Sequence, residues 1–378
     1  MSQSTLYDVI VVGAGTMGMA TGAFLAQAKV KTLLLDAFNP PHNYGSHHGE
    51  TRMIRHAYGE GHQYVSLLQH AQALWEELER ESSYKIFEKT GVLGIGQEHS
   101  PFIKETLASA DRYNLPLQIM SSRDIMKKWP GIMVPRHFIG CFEADSGFLY
   151  SENCIEAYKA LALKNKAELM THTPVLDIET TPHKIKVRTP NNTYLADKVI
   201  VTVGASSPKL LRTLKLPIQP LRKVFAWFAP KEKVFESSRF PCFYLDEGSH
   251  LYYGFPSVKG SGLKLGHTNG GLPIAPDQHK QNFGAYDEDE DELRDFLKKY
   301  MPKANGELVR GRTCLLSRSI DNHFIIDHYP ENKNILFASG FSGHGFKFAS
   351  IIGKALSQLA TQGITDYDLS PFSLARFK

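Results

Sequence analysis

Arg52 and Arg55 stand three residues apart in Ser46-His-His-Gly-Glu-Thr-Arg-Met-Ile-Arg55. Two guanidinium groups at that spacing form a fork suited to a carboxylate, with surface ion pairing as the ordinary alternative. Gly13-Ala14-Gly15-Thr16-Met17-Gly18 has the GxGxxG spacing, and Asp36 follows at the distance expected of a ribose ligand. In such a motif the first glycine permits a tight turn, the second lets backbone approach a pyrophosphate, and the third allows close helix packing. The helix start then offers unpaired N–H groups to anionic phosphate, while an acidic residue at position 36 disfavours a 2′-phosphate. Cys314 ends Arg310-Gly-Arg-Thr-Cys314, where neighbouring guanidinium charge favours a thiolate; a small buried hydrophobe is the ordinary reading of a free cysteine.

These residues need elements to hold them. Val9-Ile-Val-Val12 reads as a buried parallel strand, Met17 to Ala28 as a helix and Thr32 to Asp36 as the next strand, which makes one βαβ unit. The stretch from Asn39 to Gly61 carries Gly, Pro, His, Arg and Tyr with no apolar period, and a loop of that length is usually functional. A helical pattern resumes from Tyr64 to Glu79. Lys198 to Val203 and Ile335 to Ser339 read as later returns to the first sheet, each followed by glycine. Between them, Lys223 to Phe228 and His250 to Tyr253 predict an antiparallel sheet, and the acidic run Asp287 to Glu292 a solvated helix start. A nicotinamide enzyme would continue with regular βαβ repeats, so the interruption after Asp36 favours FAD over NAD.

Composition excludes more than it identifies. At 378 residues the chain predicts two domains, with 42% hydrophobic and 22% charged residues as in ordinary globular proteins. A net charge of +4 without a dense Lys/Arg run gives no track for nucleic acid. The four cysteines, Cys141, Cys154, Cys242 and Cys314, form no CxxC pair, which suggests a reducing compartment. No segment reads as a signal peptide or membrane span, so a cytoplasmic protein is expected. His47, His48 and His56 lack the supporting ligands of a metal site, and Ser342 with His344 lacks a nucleophile elbow.

Four segments together strongly resemble the monomeric sarcosine oxidase family, whose near relatives are the N-methyltryptophan oxidases. They are Ser46 to Glu60, Tyr252-Tyr-Gly-Phe-Pro256, Gly340-Phe-Ser-Gly-His-Gly-Phe-Lys347 and Cys314. The resemblance spans essentially the whole chain and implies an α/β plus α+β fold: a Rossmann-like, glutathione-reductase-like FAD-binding domain with an interleaved substrate domain on an antiparallel sheet. Residues 1–90, 145–215 and 321–378 are expected in the first, and 91–144 and 216–320 in the second. The implied cofactor is one FAD per chain, bonded through its 8α carbon to the sulfur of Cys314. The implied activity is oxidative demethylation of sarcosine or another small secondary amino acid, with O2 reduced to H2O2 by a monomer.

The resemblance also implies roles. Arg52 would sit by the flavin ring, Arg55 and Lys347 would hold the substrate carboxylate, and Lys264 in Gly262-Leu-Lys-Leu-Gly266 would activate oxygen. His48 and Tyr253 complete the expected catalytic set. Tyr253, Tyr244, Thr268 and His267 join Arg55 and Lys347 around the substrate. Cofactor contacts are expected from the GxGxxG turn, Asp36, Ala37, His47, Thr51 and Arg52, and from Val175, Gly204, Gly343, Gly345, Phe346 and Lys347. A cationic pocket would depress the amine pKa and favour the free lone pair that hydride loss requires.

Two departures from the family pattern put substrate preference in question. The usual histidine stands two residues after the glycine matching Gly266, whereas here His267 comes one position early, and on a strand one residue reverses the face. Either His267 still reaches the site through a bulge, or Thr268 takes its place. Ser206 also stands where relatives commonly carry tryptophan. N-methyltryptophan or a cyclic imino acid therefore remains open as substrate, as does a flavin dehydrogenase with a protein acceptor.

Overall fold

The computed structural model describes residues 6–275 and 280–377. Strand Leu6–Val12 is flanked in parallel by Thr32–Leu35 and Thr193–Val201, and Asn332–Ser339 pairs in parallel with the latter. Where they pair, Val9 to Val12, Leu33 to Leu35, Val199 to Val201 and Ile335 to Phe337 are buried on both faces, as such apolar runs require of central parallel strands. Register sets Val12 beside both Leu35 and Val201, so the carboxyl ends of these strands open on one edge. Ligands of open α/β sheets bind at that edge.

Helix Thr16–Gln27 is buried along almost its whole length. It packs with Val65–Glu81, Ser151–Lys164 and Ala349–Gln362 in the largest apolar core. Gly353 permits close contact there, because a Cβ at that position would press on Ala20. The acidic run becomes the helix Glu288–Tyr300, with Glu288 to Asp291 in its first turn, where the helix dipole favours negative charge.

The second sheet is antiparallel apart from one parallel pair, Val92–Gln97 with Cys242–Asp246. From one side it runs Leu308–Ser319, Ile218–Phe228, Leu263–His267, Leu251–Phe255 and Cys242–Asp246, then Val92–Gln97 and Phe138–Glu143. One face carries its own core of Phe228, Phe243, Leu265 and Phe296. The opposite face turns toward the carboxyl edge of the parallel sheet and floors the cavity between them.

Candidate functional site: a cavity between two sheets

A cavity of about 620 Å³ extends from the Gly13–Met17 turn across the loop 42–60 to the antiparallel floor. At its first end Gly13 has φ +90°, a conformation that favours glycine. A side chain there would meet the carbonyl of Thr202 at 2.7 Å, and one at Gly18 would collide with the Gly13 carbonyl. Gly15 caps the helix without any side-chain hydrogen bond, so its first N–H groups remain available to an anion. Ala14 donates its N–H to Asp36 Oδ2 at 2.7 Å and Phe38 donates to Oδ1 at 2.8 Å. The carboxylate keeps lone pairs for hydroxyl donors.

The loop between residues 45 and 60 is held by carboxylates that are distant in sequence. Glu152 accepts the N–H groups of Gly49 and Glu50, and Glu143 those of His56 and Ala57. Arg52 is fixed by three carbonyls, donating to Thr51 at 2.8 Å, Ser46 at 2.7 Å and His48 at 2.6 Å, and its guanidinium lies over Phe346. Arg55 donates to Glu60 at 2.6 Å and to the Ala57 carbonyl at 2.9 Å. Tyr58, Tyr244 and Phe102 surround its guanidinium, with the Tyr58 and Tyr244 ring centres 4.4 and 4.9 Å away. Burial opposes the charge on Arg55, but Glu60 and the two tyrosines outweigh it and raise the pKa. Glu60 is correspondingly held below the usual carboxylate range: burial pushes it up, and Arg55, His344 and Lys347 more than compensate.

Lys347 enters from the opposite loop. Its ammonium donates to the His344 carbonyl at 2.9 Å and the Tyr58 hydroxyl at 3.2 Å. Burial brings its pKa down to about 7, with Glu60 opposing and Arg55 and Arg52 reinforcing the shift. His344, lowered to about 4 chiefly by burial, takes part in a bond with Tyr58 through Nδ1 and points Nε2 to the Asn322 carbonyl. Ser342 bonds instead with Ser319 and the Gly340 carbonyl, so Ser342 and His344 form no dyad.

Strand pairing arranges the floor in rows. Phe225, Gly266, Tyr253, Tyr244 and Gly94 lie side by side across five strands. Side chains at Gly266 and Gly94 would collide with the hydroxyls of Tyr253 and Tyr244, so the two glycines let these rings lie along the sheet. Burial raises the pKa of both phenols and keeps them neutral. The row before it contains Trp227, Lys264 and Phe255, and the row after it pairs Lys223 with Cys314. Period-two alternation from Lys264 through Gly266 assigns Thr268 to the cavity face. His267 instead stacks on Tyr252 on the reverse face, with ring centres 5.0 Å apart, although part of it also lines the cavity.

The expected site residues Gly13, Gly15, Thr16, Met17, Asp36, Ala37, His47, Thr51, Arg52, Arg55 and Val175 all line this one cavity. So do Gly204, Tyr244, Tyr253, His267, Thr268, Cys314, Gly343, Gly345, Phe346 and Lys347. Ala14, Gly18, His48 and Lys264 lie behind the lining. Lys264 is 2% exposed and donates to the Gly49 carbonyl at 2.6 Å, the Thr51 carbonyl at 2.9 Å and the Thr51 hydroxyl at 3.2 Å. Phe225, Trp227 and Phe255 surround it. Burial and then Arg52 push its pKa well below that of an ordinary lysine. Burial lowers His48 to about 3, and its Nε2 has no hydrogen-bond partner among the described residues. Glu143, Glu152 and Phe102 have no local signal in the sequence, since their partners stand on other segments. Among the described residues no cluster of His, Cys, Asp and Glu is suited to a metal.

The strand-end glycine turn, the open helix start, the ribose-competent Asp36 and a buried cavity thiol suit a flavin dinucleotide. The FAD dependent oxidoreductase family matches residues 8–359, and the chain belongs to it. It is 51% identical over 377 residues to the monomeric sarcosine oxidase of Bacillus sp. (strain B-0618), covering 99% of this chain and 97% of that one. It is 40% identical over 373 residues to the N-methyl-L-tryptophan oxidase of Yersinia pestis (strain Pestoides F), covering 98% and 100%. Within the family it is therefore a member of the sarcosine oxidase and N-methyltryptophan oxidase group. The open form of NikD, an unusual amino acid oxidase essential for nikkomycin biosynthesis, superposes with a TM-score of 0.87 over 98% of both chains at 22% identity, a likeness of fold. No helix among the described residues is long and apolar enough to cross a membrane.

Proposed function

We propose that the protein oxidises the N-methyl group of sarcosine, releasing glycine and formaldehyde, and that its FAD is bonded to the sulfur of Cys314. The observation that carries this reading is the convergence, in one cavity, of a dinucleotide turn, a cysteine on the floor and the cations Arg52, Arg55 and Lys347. FAD, when bound, accepts a hydride equivalent from the methyl carbon and passes the electrons to O2. The net change is sarcosine, O2 and water to glycine, formaldehyde and hydrogen peroxide.

The chain's contribution is position and charge. Arg55 and Lys347 hold the carboxylate, and their combined field disfavours a protonated amine beside them, leaving the lone pair free to stabilise the developing iminium. Tyr253 and Phe346 supply neutral walls near Arg52 that exclude water. Lys264, buried beneath Gly49 and Thr51, places a group capable of positive charge where negative charge develops as oxygen is reduced. Tyr244 and Phe102 close the wall beside Arg55, with ring centres 5.2 Å apart, which favours a small amine over a bulky one. Two measurements test the proposal. Acid denaturation should leave flavin absorbance on the Cys314 peptide, and sarcosine turnover should yield formaldehyde and peroxide in equal amounts. Release of all the flavin into the supernatant rejects the bond to Cys314, and absence of formaldehyde rejects the substrate.

A further inference from the structure

Lys223 stands directly opposite Cys314 in the antiparallel pair formed by Ile218–Phe228 and Leu308–Ser319. Residues so opposed share a face of the sheet, with Cβ atoms roughly 4.5–5.5 Å apart. Both line the cavity and both are buried, at 8% and 9% exposure. Among the described residues Lys223 has no carboxylate bound to it: its ammonium donates to the Asn269 carbonyl, on the turn that also supplies Gly271, against which its side chain packs. The roles argued above for Arg52, Arg55, Lys264 and Lys347 leave this amine without a task. A lysine buried beside a thiol and lacking an anionic partner is costly unless its protonation state serves a purpose.

We propose that Lys223 is the proton acceptor for Cys314 when the flavin is attached. The inference rests on the covalent reading above. In the attachment the S–H bond of Cys314 and one C–H bond of the flavin 8α methyl group break, and the S–C bond forms. Lys223 Nζ takes the thiol proton and returns it to the ring, which also takes up the methyl proton and is reduced by two electrons as the S–C bond forms. The two electrons and two protons held by the ring then pass to dioxygen, which leaves as hydrogen peroxide.

The surroundings of Lys223 favour a neutral amine. Burial lowers its pKa to about 8, Arg318 reinforces the shift, and Cys314 and Glu292 oppose it. His267, lowered to about 4 by burial and then by Lys223, brings no competing charge at neutral pH. Two other amines feel Cys314: Lys280 is committed to the carbonyls of Asn43 and Thr313, and Lys264 to those of Gly49 and Thr51. At pH 7 an amine with a pKa near 8 is neutral in roughly a tenth of molecules, against well under a thousandth for an ordinary lysine. The deprotonated fraction, and with it the attachment rate, should climb as pH rises through about 8.

The test follows attachment rather than turnover. Flavin-free protein produced in riboflavin-limited cells is mixed with FAD between pH 6.5 and 9.5, and acid-stable flavin is measured against time. Quenching of FAD fluorescence reports non-covalent binding separately and shows that each variant is folded. Wild type should attach flavin faster as pH rises. Lys223→Met and Lys223→Gln should bind FAD normally yet attach it at least tenfold more slowly, without that pH limb. Lys223→Arg retains the charge but cannot accept a proton, and should be as slow as Lys223→Met. Wild-type rates in Lys223→Met, or full recovery in Lys223→Arg, overturn the role of Lys223. Failure of the wild type to retain flavin, or its retention by Cys314→Ala, overturns the covalent reading instead.

Discussion

The two walls of the cavity recognise by different means. The carboxyl edge of the parallel sheet presents main chain: the N–H groups after Gly15, the Gly13 bend and the carbonyls that pin Arg52. The antiparallel floor presents side chains at every second residue, so Tyr253, Tyr244, Lys223 and Cys314 are placed by register alone, with Lys264 behind them. The first wall suits a cofactor common to many enzymes. The second can vary one residue at a time at positions such as Tyr244, away from Cys314 and Lys223, without disturbing the dinucleotide turn.

This contrast can be broken at several points. The largest effect is expected at Lys264. Lys264→Met should slow flavin reoxidation by O2 roughly a hundredfold in stopped flow while slowing anaerobic reduction much less. Equal slowing of both half-reactions would reassign Lys264 to the architecture of the loop that it supports through Gly49 and Thr51. On the opposite wall, Gly18→Ala forces the helix away from the Gly13 carbonyl at a cost of roughly 1–3 kcal/mol. That variant should purify with markedly less flavin per chain, read from the visible-to-ultraviolet absorbance ratio, whereas Tyr244→Ala on the floor should not.

A pH profile sharpens the same division. With its pKa near 7, Lys347 loses its proton as pH rises through neutrality, and attraction for a carboxylate weakens. The inhibition constant of propionate, which has no amine to titrate, should therefore rise up to roughly tenfold per pH unit above that point. Lys347→Met should flatten the profile. The smallest change is expected at Tyr244: Tyr244→Ala should alter kcat/KM for sarcosine only a few-fold, of the order of one lost contact. Relative turnover of N-methyl-L-tryptophan should increase, and an unchanged ratio between the two substrates would show that Tyr244 does not limit size.

Legibility in the sequence follows the same divide. The βαβ unit was readable because Val9 to Val12, the three glycines and Asp36 act locally, within about thirty residues. The strands Lys198 to Val203 and Ile335 to Ser339 were recognisable as apolar runs, although the observed strands begin earlier, at Thr193 and Asn332, where polar edge residues interrupt the pattern. The floor was harder to read. Alternation announces strands but not which strand lies beside which, so the row joining Phe225, Gly266, Tyr253 and Tyr244 had no local signal. Glu143 and Glu152 likewise reach the 49–57 loop from 87 and 103 residues away. Position 268 shows what register adds: composition could not choose between His267 and Thr268, whereas the stacking of His267 on Tyr252 leaves the cavity face to Thr268.

The central claim is that one cavity joins flavin and amine, and anaerobic titration tests it most directly. Purified protein, yellow from bound flavin, is mixed with sarcosine in the absence of oxygen and its visible spectrum recorded. The account predicts that the flavin absorbance bleaches with one sarcosine consumed per flavin and returns on admission of air, with peroxide formed. A spectrum that remains oxidised under excess sarcosine would contradict it.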